Sequence, residues 1–290
     1  MIINRRNFVR TAGAAAAIAS CVSPSIGFPA SPRNGKNPIG AVKPTSDFDE
    51  AVKAGLDYFE PPAYELAEMD QAAFDKFHEK VMASPIRCSR VNFFIRSLRV
   101  DGPDVNLDAL AKYSESTLER CRLLGAEIVI FGSASSRSVP EGFSRDRARD
   151  QIKEFLRMAE PIARGKGIVL GVEPIRYASS NILSTGDEVV KFVREMNMPN
   201  LKMNIDYFQM HSMNESPDIL WEARDKIVHI HFARFNPHGW PKSAEEDPEY
   251  KQFFGLLEKM KYRGGISVEA PGSIAENASA ALEFFRKELA

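Results

Sequence analysis

The sequence predicts a single (β/α)₈ barrel preceded by an export leader. Three observations lead there. Eight short runs rich in β-branched and aliphatic residues recur from residue 39 to the end of the chain. A stretch with apolar residues at helical spacing, or a helix-start signal, follows most of them. Strands that alternate with helices must run parallel, because each crossover returns the chain to the same edge. The roughly 250 residues after the leader are what such a barrel takes. A doubly wound open sheet is the competing architecture. It normally carries a glycine-rich phosphate loop after its first strand, and no G-x-G-x-x-G follows 39–42 here.

The predicted strands are 39–42, 58–60, 90–95, 127–131, 168–172, 201–205, 227–231 and 265–268. Helices are predicted at 48–54, 72–82, 107–124 and 145–164, each with apolar residues at helical spacing. Thr185 followed three residues later by Glu188 is a capping box that opens a helix running to about Met196. Ser216-Pro217 and Asp247-Pro248 each set a good N-cap before a proline, which is tolerated at the first helical position. A last helix covers 275–289.

Residues 1–37 read as leader and linker, and 38–290 as the barrel. Asn4-Arg5-Arg6-Asn7 opens a charged segment, and 11–19 is short and weakly apolar. Such a stretch is well below the ~20 residues a membrane-spanning helix needs. The paired arginines resemble a twin-arginine signal. Ile18-Ala19-Ser20-Cys21 resembles a lipobox, in which Cys21 would carry a lipid anchor. The expected location is therefore the periplasm, or its membrane surface after lipidation. After cleavage only Cys88 and Cys121 remain; two buried thiols are expected rather than one disulfide, and no C-x₂-C zinc spacing occurs. A net charge of −1 gives no basic field for nucleic acid. A homo-oligomer is compatible with the pattern.

Functional side chains in a barrel project from the C-terminal ends of its strands. Predicted strands five to eight end at Glu173, Asp206, His231 and Glu269. Each of the three acids follows an apolar run, where an unpaired charge is costly. Carboxylates gathered there raise one another's pKa unless a cation neutralises them. One divalent ion held by three carboxylates and an imidazole resolves the conflict. That donor set suits Mn²⁺, Mg²⁺ or Co²⁺, and Zn²⁺ also accepts it. His229 and His231 share a face, because residues two apart on a strand point the same way. His231 lies nearer the mouth and is the expected ligand, with His229 packed one layer deeper. Candidate substrate contacts are Glu60 and Asn92 on strands two and three, Arg137 after strand four, Gln209, and Arg234 and Trp240 after strand seven.

The chain resembles the sugar isomerase/epimerase superfamily, the xylose isomerase-like barrels that include ketose 3-epimerases. The resemblance rests on Gly171-Val172-Glu173-Pro174, Asn204-Ile205-Asp206-Tyr207-Phe208, His229-Ile230-His231 and Ile266-Ser267-Val268-Glu269. The segment from Gly125 to Ser133, with Arg137 to Phe143, adds to it. It implies that Glu173, Asp206, His231 and Glu269 hold the metal while Glu173 and Glu269 act on the sugar. One glutamate would remove the proton next to the carbonyl and the other return it, through a metal-stabilised enediolate. This implies a sugar epimerase or aldose–ketose isomerase. Two departures stand out. Ketose 3-epimerases carry a second glutamate shortly after the first ligand, whereas 175–180 holds no acid here. They often carry a histidine three residues after the aspartate, where this chain has Gln209. Two other readings share the barrel: a metal-dependent lyase or dehydratase, distinguished by loss of mass in the product, and a non-catalytic exported sugar-binding protein.

Overall fold

The computed structural model describes residues 37–290. The leader, the linker and Cys21 lie outside the described residues. Seven parallel strands form one sheet: β1 (Ile39–Ala41), β2 (Arg90–Val91), β3 (Ile128–Phe131), β4 (Val169–Val172), β5 (Leu201–Asp206), β6 (Ile227–Phe232) and β7 (Ile266–Val268). Their order is β1-β7-β6-β5-β4-β3-β2. The gap between β1 and β2 is closed by the segment expected to be the second strand. Asp57 N–H donates to Ile39 O at 2.9 Å and Glu60 N–H to Ala41 O at 3.1 Å on one side. Phe59 N–H donates to Arg87 O at 3.0 Å on the other. Parallel bridges Val42–Glu60 and Pro62–Asn92 complete the ring. Pro61 and Pro62 have no N–H to offer a regular ladder, so this eighth stave is bonded at only a few points.

Helices fill the crossovers: α1 (Phe48–Ala54), α2 (Ala63–Glu68), α3 (Gln71–Ala83), α4 (Leu107–Leu123), α5 (Arg145–Gly165), α6 (Gly186–Met196), α7 (Tyr207–Ser212), α8 (Ile219–Ala223), α9 (Tyr250–Lys259) and α10 (Ile274–Glu288). Thr185 caps α6 as predicted, its side chain accepting from Glu188 N–H at 3.1 Å. The two Ser/Asp-Pro sites behave differently. Ser216 Oγ and Asp247 Oδ1 each accept from the N–H two residues on. Each so makes a tight turn, and α8 and α9 begin at Ile219 and Tyr250. The six-residue helices α2 and α7 were not expected.

The third predicted strand shrinks from 90–95 to two residues. Asn92 Oδ1 accepts from Phe93 N–H at 2.7 Å, and Phe93 adopts φ 49°. A left-handed aromatic residue is strained, and it ends the strand at the barrel mouth.

Outward-facing strand residues such as Leu170, Ile205, Phe232 and Val268 pack with Phe155, Phe284 and other helix residues in one core. A smaller cluster, Ile128, Ile130, Val169 and Val228, lies inside the ring. Between Met203–Ile227 and Asn204–His229 the register shifts, so Val228 is a bulge residue. The bulge lets Val228 join the inner plug while His229 and His231 face the axis above it. Cys88 and Cys121 are both buried and free, as expected. Burial pushes the Cys121 thiol up to about 12 and raises Cys88 as well. Among the described residues no helix is long and apolar enough to cross a membrane.

Candidate metal centre at the barrel mouth

β4, β5, β6 and β7 deliver Glu173, Asp206, His231 and Glu269 to one point. One donor atom from each lies within 4.8 Å of all the others. His231 Nδ1 stands 2.7 Å from Glu173 Oε1 and 2.8 Å from Glu269 Oε2. Glu173 reaches the axis because residue 132 is glycine: a Cβ there would collide with Glu173 Oε2. Asn204, two residues before Asp206 and so on the same face, donates to Glu173 Oε1 at 2.7 Å and sits 2.9 Å from His231 Nδ1. Asp206 does two things at once. Its Oδ1 caps α7, accepting from Phe208 N–H at 2.7 Å and Gln209 N–H at 3.3 Å. Its other oxygen is left for the cluster.

A layer beneath supports this point. His231 Nε2 is 2.9 Å from Glu60 Oε1, and His229 Nε2 is 2.9 Å from Glu60 Oε2. Ser267 donates to Glu60 Oε2, and Tyr58 OH lies 2.7 Å from Ser267 Oγ. Burial alone would raise the Glu60 carboxyl, but His231 and His229 outweigh it and hold it well below the usual carboxylate range. An ionised Glu60 draws the ring proton of His231 to Nε2.

His231 Nδ1 then faces two carboxylate oxygens less than 3 Å away. Positive charge is required at that point, and either a proton on Nδ1 or a cation among the donors supplies it. The buried Glu269 Oε2 has no hydrogen-bond donor. Burial, then Glu269 and Glu173, raise the Asp206 carboxyl well above its ordinary value, and burial also raises Glu173. For His231 burial pulls downward, and Glu60, Glu173 and Glu269 override it and raise it well above the ordinary range. Burial and crowded negative charge thus raise the acids, and the surrounding carboxylates raise His231. Hard oxygen donors with one imidazole whose far nitrogen is held by a carboxylate are a donor set that fits a divalent ion.

The expected substrate contacts divide. Asn92 stays at the centre. A Cβ on Gly132 would lie 3.2 Å from Asn92 Oδ1 and against Glu173, and Asn92 Nδ2 is buried without a partner. Gln209 stays at the mouth, its Oε1 accepting from Arg176 N–H at 3.2 Å. The other four are engaged within the protein itself. Glu60 is wholly buried under the cluster with both oxygens taken by His231 and His229. Arg137 is also wholly buried, donating to Glu173 O at 2.6 Å and Phe131 O at 3.4 Å. It braces the backbone at the ends of β3 and β4. Arg234 is spent on Glu246 Oε1 at 2.9 Å and Pro237 O at 3.0 Å. Trp240 is buried and has no open face for stacking.

Lys43, Asn204, Arg176 and His238 were not singled out from sequence. Two simple rules would have found the first two. Lys43 follows strand one as the acids end strands five and eight, and Asn204 shares the Asp206 face.

The centre and the closed ring of staves define a class. The chain belongs to the xylose isomerase-like TIM barrels, which residues 48–288 match. Among its relatives, it is 27% identical over 132 residues to L-ribulose 3-epimerase of Methylomonas sp. (strain DH-1), covering 45% of each chain. It is 30% identical over 134 residues to hydroxypyruvate isomerase of Escherichia coli (strain K12), covering 45% of this chain and 51% of that one. The match thus spans about half the length of these relatives. Crystalline D-allulose 3-epimerase from Methylomonas sp. superposes with a TM-score of 0.75 at 18% identity, over 89% of this chain and 99% of that one. Likeness at that identity speaks for the fold alone. The relatives named are epimerases and isomerases.

Proposed function

We propose that the chain is a divalent-metal-dependent sugar epimerase or aldose–ketose isomerase. The observation that carries this reading is the convergence of Glu173, Asp206, His231 and Glu269 at one buried point of the mouth. These four residues would hold the ion, with Mn²⁺, Mg²⁺ or Co²⁺ favoured by the three carboxylates. The ion would supply Lewis acidity toward the carbonyl of the substrate. The protein's own groups do the rest. Glu173 and Glu269 come from strands that are not neighbours and meet at the centre with His231 Nδ1 between them. One takes the proton from the carbon beside the carbonyl and the other supplies a proton to the resulting carbanion centre. Asn204 and Glu60 keep the Glu173 carboxylate and the His231 ring in place. Asn92 offers a free amide N–H beside Glu173 for a hydroxyl of the substrate.

Export to the periplasm, with an anchor at Cys21, belongs to the same proposal and rests on the leader sequence. Sugars and sugar derivatives of that compartment are the matching substrates.

The test is incubation of Mn²⁺-loaded protein with a panel of ketoses and aldoses in D₂O, read by NMR. Deuterium on carbon with mass otherwise conserved is expected. Loss of water or of an aglycone would move the reaction to the lyase class. Absence of label from every sugar, together with no metal in the purified protein, would sink the reading.

A further inference from the structure

The way into the centre is marked by exposure. The Glu269 side chain is 21% exposed, whereas those of Glu173 and His231 are 2% and 0%. A substrate therefore meets the centre over Glu269, and what surrounds Glu269 decides which substrates enter.

Three cationic or protonatable side chains ring that opening. Lys43, just past β1, is buried and donates to Ala270 O and Gly272 O, both at 2.6 Å, in the loop that follows Glu269. His238 reaches the Glu269 carbonyl at 3.3 Å and stacks on Phe208 with ring centroids 3.9 Å apart. The Arg176 guanidinium lies on the same Phe208 ring, 4.7 Å from its centroid. The three are linked by contacts: Phe208 carries both Arg176 and His238, and His238 and Lys43 both reach the Glu269–Gly272 backbone.

None of the three is answered by a carboxylate of its own. Among the described residues no carboxylate oxygen lies within 4 Å of the Arg176 guanidinium or of Lys43 Nζ, unlike Arg234 with Glu246. Lys43 has three donors and uses two, on neutral carbonyls. Arg176 is half-buried, and its guanidinium lies on Phe208 with no hydrogen bond or ion pair among the described residues. A guanidinium that solvent reaches and no protein acceptor occupies is free to meet a ligand. The segment that holds Arg176 is the one where ketose 3-epimerases carry a second glutamate. Here 175–180 holds no acid, and Arg176 is its one charged residue.

We infer that the substrate carries an anionic group, a carboxylate or a phosphate, and that Arg176, with Lys43 and His238, receives it at the rim. This rests on the proposed epimerase or isomerase reading for the reaction itself. It selects sugar acids or sugar phosphates over neutral sugars. A guanidinium also offers the paired N–H geometry that a carboxylate or phosphate accepts.

Calorimetric titration of the Mn²⁺-loaded protein tests this without requiring turnover. The probes are D-fructose and D-tagatose, the matching C6 carboxylates D-fructuronate and D-tagaturonate, and the two 6-phosphates. At least one anionic probe is expected to bind tenfold or more tightly than its neutral parent. Whether it is a carboxylate or a phosphate identifies the group. Arg176→Gln should remove that preference, Arg176→Lys should restore part of it, and Arg234→Gln should leave it intact. Neutral sugars binding as tightly as every anion, an unchanged preference in Arg176→Gln, or no binding of any anion would each overturn the inference. Deuterium exchange on the same panel separates the two ideas. Anion binding without exchange removes the reaction and keeps the rim, while exchange confined to neutral sugars keeps the reaction and removes the rim.

Discussion

Beneath His231, Glu60 has each of its oxygens answered: one by His231, the other by His229 and Ser267, with Tyr58 behind. Above the centre, Arg176 lies on the face of Phe208, and Lys43 meets two neutral carbonyls and the Trp240 ring, neither with a carboxylate partner among the described residues. Both layers bury charge, but only the lower one closes its own account. A satisfied buried network fixes geometry, whereas a rim with unanswered donors waits for a ligand to complete it. The lower layer should therefore govern the ion and the chemistry, and the upper layer the choice of substrate.

The sharpest break in that division would come from the centre itself. Glu173→Gln and Glu269→Gln should each lower the rate of deuterium exchange by about 10²- to 10⁴-fold, with the circular dichroism of the fold unchanged. Activity near wild type in either variant would remove proton transfer from these residues. Next in size is Glu60→Gln, which leaves the volume but weakens the hold on His231 Nε2. Metal affinity, read by competition with a chromogenic chelator, should fall by about 10- to 100-fold. A rim variant such as Arg176→Gln should leave it alone. If Arg176→Gln weakens the metal as much as Glu60→Gln does, the two layers are not separate.

Metal removal sharpens the same contrast. An ion present at 100 times its Kd stabilises the fold by about 2.7 kcal/mol, so chelation should lower the Tm of the wild type and of Arg176→Gln equally. The drop should be smaller in Glu60→Gln at the same free metal concentration. The smallest effect belongs to Arg234. Its pair with Glu246 lies near the surface, and Arg234→Ala should cost about 1 kcal/mol or less in a urea titration with no change in ligand preference. A changed preference would return Arg234 to the rim.

The centre was legible in sequence because three acids and a histidine each end an apolar strand, and parallel strands of a barrel bring their ends together. The roles of Arg137, Arg234 and Trp240 were not legible, because a side chain's direction after a strand end depends on partners elsewhere. Arg137 turns inward to the carbonyls of Phe131 and Glu173, and Arg234 finds Glu246 in the loop ahead of α9. Glu60 looked like a mouth residue because it ends a strand-like run. Only the ring closure shows that it lies under His231. The short third strand hid for a related reason. Nothing in the composition of 90–95 announces a left-handed Phe93, whose N–H is taken by the side chain of Asn92. α7 was missed because Asp206 was assigned one duty, and it has two.

That double duty couples two parts of the molecule. The carboxylate that would grip the ion with one oxygen holds the first turn of α7 with the other. That turn carries Phe208, the platform under Arg176 and His238, and Gln209, which fastens the Arg176 backbone. An ion held by the free oxygen of Asp206 would therefore share its carboxylate with the helix start that carries the Arg176 platform.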